Sequence, residues 1–275
     1  MRELPRQFLL QEVGRLRAWR AAALRQLELV QDNRRCLALV AVVLTGFGCL
    51  VGLDLAFRYA VLDGTELPNW FNLSQEMALG EIFEHMMTGS GLLALGWMAW
   101  SGKAVRLALA AILLGLILGD NALQWHESFG EFAGPHMPAW VPLGGHEFAE
   151  FAYLCTFGLF ALVTLYIVWR GNPAPREAGA LFVMLCLLAA GFFGVAVDAV
   201  HTMLPTHSLA EVIIAGVEDG GELLFLTLAG AAAVCTWLAD RGRLGVRENR
   251  KNHDSDSVAG MLGTANWMPI DGAGR

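Results

Sequence analysis

Residues 209–239 read LAEVIIAGVEDGGELLFLTLAGAAAVCTWLA, a run long enough to cross a hydrocarbon layer, which takes about 20 residues of helix. Glu211, Glu218 and Glu222 lie on it at offsets of seven and four, so a helix stacks them on one stripe. Counting back about 20 residues from Ala239, at a rise of about 1.5 Å each, reaches Glu218 to Gly220. The acids therefore belong at the far end of the crossing, near water. An apolar helix of membrane length with its ionisable groups gathered at one end is the pattern that sets the expected fold.

Five further stretches have the same length and character: 37–61, 79–102, 104–127, 146–170 and 178–202. Of the 275 residues 55% are apolar and 16% charged, with mean hydropathy +0.47, whereas an average soluble domain has about 25% charged residues. The expectation is an all-α, polytopic integral membrane protein, a bundle of six transmembrane helices over residues 37–239. Residues 1–36 set Leu9, Leu10, Val13, Leu16, Leu24 and Leu27 among Arg15, Arg17, Arg20 and Arg25. This is the pattern of a basic amphipathic segment on an anionic leaflet, or of a solvated extension of the first span. Residues 240–275 lack periodicity and are rich in Gly, Asn and Asp, which predicts a disordered tail. The first apolar stretch starts too late and runs too long for a cleaved signal peptide.

Basic residues orient the bundle, because short loops rich in Lys and Arg stay in the cytoplasm. Eight arginines from Arg2 to Arg35 precede the first span, Lys103 and Arg106 separate the second and third, Arg170 and Arg176 the fourth and fifth, and six more basic residues from Arg241 to Arg275, Lys251 among them, follow the last. Only Arg58 falls on the other side. Both termini are expected in the cytoplasm of a cell, with the protein in its cell membrane (the inner one in a bacterium) and the acidic helix ends facing out. Those ends and their loops hold sixteen of the 26 acids and six of the seven histidines. Such a face concentrates cations and repels anions, so membrane lipid and a small or lipid-like molecule are expected as partners and nucleic acid is not. The cysteines, Cys36, Cys49, Cys155, Cys186 and Cys235, lie in apolar stretches or at a cytoplasmic end with no CxxC, and read as small packing residues.

The same depth count from residues 102, 106, 170 and 180 reaches Ile82, His126, Phe151 and Val200, so several clusters are predicted at one level. Glu81, Glu84 and His85 share a face of the second span, His146 and Glu150 of the fourth, and Asp198 and His201 of the fifth. Asp120 joins them from the third span. Carboxylates and imidazoles on facing helices are how bundles build di-iron and di-manganese centres. The expected ligands are Glu81, His85, Asp120, His146, Glu150, Asp198, His201 and Glu222, holding one or two divalent metal ions. Oxygen and imidazole without thiolate suit Zn, Fe or Mn. Glu84 and Glu218 are the expected catalytic bases beside a metal-activated water.

Blander readings stand beside these. A single histidine reads as a satisfied interface residue, and Asp54 with Arg58 one turn on reads as an intrahelical ion pair. Asp63, Glu66, Glu127, Glu131, Glu147, His136 and His207 read as solvated. Ser74 is a plausible N-cap for a helix beginning near Gln75. The connection 128–145, with Pro135, Pro138, Trp140 and Pro142, reads as a short lid or a plain connector. Two of the histidines could be axial haem ligands, but the carboxylates would repel an anionic porphyrin.

The plan is similar, in topology alone, to the C subunit of copper-dependent membrane monooxygenases. That family's Asp-x3-His-x12-His signature is absent, since neither Asp120 nor Asp198 has a histidine four positions on, and no ligand is carried across. The function expected is a metal-dependent membrane enzyme, a hydrolase or oxidoreductase acting on a lipid-like or periplasmic substrate. The competing class is a divalent-cation or proton transporter, a sensor or a metal store. The inner halves at 92–97, 107–112 and 182–185 hold no ionisable group, which argues against a conducting path.

Overall fold

The computed structural model describes residues 3–264 apart from 76, 103, 139, 142, 143, 172, 202 and 205–207. Lys103, Pro142 and His207, drawn on above, therefore lie outside the described residues. The chain is 87% helical, with no strand among the described residues. Its helices are α1 (Glu3–Gln31), α2 (Arg34–Leu62), α3 (Leu79–Gly102), α4 (Val105–Leu123), α5 (Trp125–Ala133), α6 (Gly145–Trp169), α7 (Pro175–Gly191), α8 (Asp198–His201) and α9 (Leu209–Thr264).

Five segments, Arg34–Val61, Val105–Leu123, Gly145–Trp169, Pro175–Val197 and Leu209–Gly242, are long and apolar enough to cross a membrane. α3 has the length as well, but Glu81, Glu84, His85, Thr88 and Ser90 dilute its apolar character. The outside of the bundle is membrane-like: Leu93, Trp97, Trp100, Ile112, Leu159 and Leu162 are all exposed, as large apolar side chains seldom are together on a water-facing surface.

The core is built from small and aliphatic side chains, among them Ala94, Leu95, Ala110, Leu113, Leu114, Val183, Met184, Leu226, Ala229 and Ala233. Between helices in lipid there is no hydrophobic drive, so close packing of small residues holds them together. α3 and α9 approach most tightly at Gly91 and Gly230, where a Cβ on Gly91 would lie 2.7 Å from the Gly230 Cα. The buried hydroxyls of Thr88, Thr227 and Thr236 donate to the carbonyls of Glu84, Leu223 and Ala232 one turn earlier, at 2.8, 2.7 and 2.7 Å. Those hydroxyls thereby cross the apolar core satisfied.

α1 is a separate helix, not a continuation of α2. Asn33 breaks the chain in an extended conformation and its side chain accepts from the Arg35 N–H at 3.0 Å, capping α2. Trp19 is buried against Trp169, stacked at 5.9 Å, and donates its indole N–H to the Trp169 carbonyl at 3.0 Å. Leu10, Val13, Leu16, Leu24 and Leu27 remain exposed. At the other terminus α9 continues past its span to Thr264, over part of the segment read above as a disordered tail.

Three local departures from the expected boundaries shape the site. The third span stops at Leu123, not 127, because Gln124 takes a left-handed conformation with φ 50°. The chain then re-enters helix as α5, which occupies the start of the connection read as a lid or connector. The fifth span changes character after Gly191: residues 192–197 form a π-helical turn before α8, a rare insertion often found at functional sites. Ser74 does not cap a helix at Gln75, since α3 begins at Leu79; its hydroxyl donates to Asp219 instead, at 2.5 Å.

Candidate functional site

The π-helical turn delivers Asp198 and His201 to the start of α9. His201 Nδ1 lies 2.9 Å from Glu218 Oε2, and its Nε2 lies 3.6 Å from Glu211 Oε1. Asp198 completes a group in which one donor atom from each of Asp198, His201 and Glu218 lies within 4.8 Å of the others. Among the described residues this is the one place where three such donors gather. Donors around a tetrahedral ion with bonds of about 2.1 Å are about 3.4 Å apart, so a small rearrangement of the three side chains would suffice. Asp198, His201 and Glu218 would hold the ion, and its binding would compete with the proton now shared between His201 Nδ1 and the Glu218 carboxylate.

Beside this group, across one turn of α9, a polar cavity of about 250 Å³ opens at the same end of the bundle. Glu84 from α3, Asn121 from α4, His126 from α5 and Glu222 from α9 line it. Asn121 donates to Glu84 Oε1 at 2.9 Å. The Glu222 carboxylate lies close against Gly194 in the π-helical turn, where a Cβ would come within 2.9 Å of Oε2. Asp120, nearly fully buried, accepts twice from His126: the backbone N–H reaches Oδ1 at 3.1 Å, and Nδ1 stands 3.1 Å from Oδ2. That hydrogen bond to Asp120 holds the His126 imidazole above the ordinary histidine value, against the opposing effect of burial.

Asn121 and His126 were not among the residues expected from the sequence. Asn121 is one position from Asp120 and carries no helical-face signal of its own. His126 is six residues from Asp120, a spacing that joins no helical face; only the left-handed break at Gln124 folds it back.

Of the remaining expected ligands, Glu81 lines the polar cavity, and His85, His146 and Glu150 lie outside both the cavity lining and the three-donor group. His85 lies 3.8 Å from Glu81 on its own helix, with a buried Nε2 that makes no hydrogen bond, and the Glu81 carboxylate accepts from the Met77 N–H. His146 and Glu150 pair within α6 at 3.0 Å, with His146 46% exposed. The three histidines expected in one centre thus occupy three places, each beside a carboxylate of its own.

The pair Asp54–Arg58 is present, with Arg58 Nε 2.6 Å from Asp54 Oδ2, and it extends further. Arg58 Nη2 also reaches Asp219 Oδ2 at 2.8 Å and donates to Ser74 Oγ at 3.1 Å, while Asp54 Oδ1 accepts from the Leu73 N–H at 2.9 Å. This network offsets part of the charge on Asp54 and Asp219 and ties α2, the 62–78 connection and α9 together next to the cavity.

Comparison with protein-family models, with curated proteins and with solved structures finds no match to this chain.

Proposed function

We propose that this chain is a metal-dependent integral membrane enzyme that binds a divalent ion at Asp198, His201 and Glu218 and acts on a lipid-like substrate in the adjoining cavity. The gathering of those three donors beside a cavity lined by Glu84, Asn121, His126 and Glu222 is the observation that carries it. Oxygen and imidazole donors without thiolate suit Zn, Fe or Mn. Two expected roles change hands: Glu218 becomes a ligand, and Glu222 becomes a cavity carboxylate with Glu84.

When bound, the ion would polarise a substrate oxygen or activate a water. The protein's part is to orient and to move protons. Asn121 holds Glu84 in place, and the Asp120–His126 pair supplies an imidazole with a fixed orienting partner, as a general acid or base requires. We further propose six membrane spans, α3 included, with both termini cytoplasmic and the acidic end outward, on the strength of the distribution of Lys and Arg.

A transport reading draws on the π-helical turn, since interrupted helices mark many ion pathways. It is opposed by the packing beneath the site, where Leu95, Leu107, Leu113, Leu114, Met184 and Leu226 fill the core. Elemental analysis of detergent-purified protein tests the proposal. Stoichiometric Zn, Fe or Mn in the parent chain and in His146→Ala, with loss in His201→Ala and Glu218→Gln, is the expected result; a parent chain that stays metal-free after loading overturns it. Sealed vesicles carrying the protein are expected to show no flux of the bound metal.

A further inference from the structure

Asn121 and Glu222 line more than the polar cavity. On their other side these two residues, with Asp120, line a second cavity of about 430 Å³ between α4, α6 and α7, whose remaining wall is apolar and includes Ile117, Leu154, Phe157 and Leu226. Two glycines in its lining, Gly158 and Gly191, face open space: a Cβ on either would meet nothing within 4 Å. Glycine at these two lining positions leaves space that a larger side chain would enter.

From the shared wall we infer that the two cavities form one binding site for a single-chain amphiphile, its alkyl tail between α4, α6 and α7 and its hydroxyl or ammonium head at Asn121 and Glu222. This names the substrate class of the site proposed above and rests on that reading. A methylene is about the size of a water molecule, whose share of volume is about 30 Å³, so the apolar cavity has room for a tail of about a dozen carbons. The head is assigned by charge. Glu81, Glu84, Glu127, Asp219 and Glu222 line the polar cavity against a single imidazole, His126, which favours a donor or a cation and repels a phosphate.

The test uses the full chain in lipid nanodiscs and three probes with a photoactivatable diazirine at the tail end: dodecanol, dodecylamine and dodecyl phosphate. The alcohol and amine are expected to label Leu154, Phe157 and Leu187, saturably and in competition with unlabelled dodecanol, and the phosphate to label these positions about tenfold less, as like-charge repulsion dictates. Gly158→Leu fills the slot and is expected to cut labelling about tenfold. Gly48→Leu, on the exposed face of α2 where a Cβ also meets nothing, leaves it unchanged. Metal content is measured on the same samples. Gly158→Leu losing label while keeping metal supports the inference, whereas metal without saturable labelling of the slot, or labelling indifferent to Gly158→Leu, overturns it alone. Slot labelling in a chain that never holds metal supports the amphiphile site and removes the metal centre.

Discussion

Arg58 is the one basic residue placed among the acids at the far end of the bundle, and its removal has a calculable consequence. Its side chain is 12% exposed, against 2% for Asp54 and 20% for Asp219. Arg58→Met keeps most of the apolar stem but deletes the cation, leaving one buried and one partly exposed carboxylate without their shared partner. Two charge-assisted hydrogen bonds at about 1.5–3 kcal/mol each, together about 3–6 kcal/mol, and the cost of about 3–5 kcal/mol for orphaning a buried charge overlap at a loss of about 3–5 kcal/mol. For a chain of this size that corresponds to a fall in apparent Tm of about 6–20 °C, at about 2–4 °C per kcal/mol. Thermal unfolding of purified protein in detergent, followed by intrinsic tryptophan fluorescence, measures it. Asp54→Asn added to Arg58→Met removes one of the opposed charges and keeps an oxygen for the Leu73 N–H, so the double variant is expected to melt higher than Arg58→Met alone. A shift under about 2 °C for Arg58→Met, or a double variant no better than the single, would refute the claim that one guanidinium holds these two carboxylates together.

Three further outcomes follow from the packing and the cavity. Gly91→Leu and Gly230→Leu, which drive a side chain into the α3–α9 contact, are expected to cost about 1–3 kcal/mol or more; Gly158→Ala, in open space, is expected to be neutral or to stabilise by up to about 1 kcal/mol through helix propensity. Thermal melting of the three variants in parallel checks this. The Asp120–His126 pair stabilises the charged imidazole, so its contribution is full below the ordinary histidine value of about 6.5 and is lost as pH rises through the higher value of the folded state. Apparent Tm measured between about pH 5.5 and 8.5 should therefore fall with rising pH more steeply in the parent chain than in His126→Gln. Trp19→Ala removes the stacked anchor of α1 and is expected to expose residues 3–31 to protease while leaving the melting of the span bundle nearly unchanged; cleavage mapping separates that from a general loss of structure.

Helical class, membrane-length segments and the crowding of acids at one end all follow from the order of residues, because apolar length, the 3.6-residue repeat and the placement of Lys and Arg are local quantities. The Asp54–Arg58 pair and the shared face of Asp198 and His201 were legible for the same reason, since residues three or four apart on one helix meet in whatever bundle forms. The meeting of donors from different helices was not legible. His85, His146 and His201 lie at similar depth along their segments, yet each faces a different neighbour, since depth says nothing of rotation about a helix axis.

Rotation and register were decided by contacts remote in sequence and by two backbone irregularities. The close approach of Gly91 and Gly230 lets α9 pack against α3, the left-handed Gln124 folds His126 onto Asp120, and the π-helical turn at 192–197 brings Asp198 and His201 to Glu218. None of these carries a one-dimensional signature, because each depends on which surfaces are pressed together once the helices pack. The sequence alone thus determined that charge and imidazole would collect at one end of an apolar bundle. Which of those side chains share a pocket, and that an apolar slot opens behind them, was settled only by the tertiary packing.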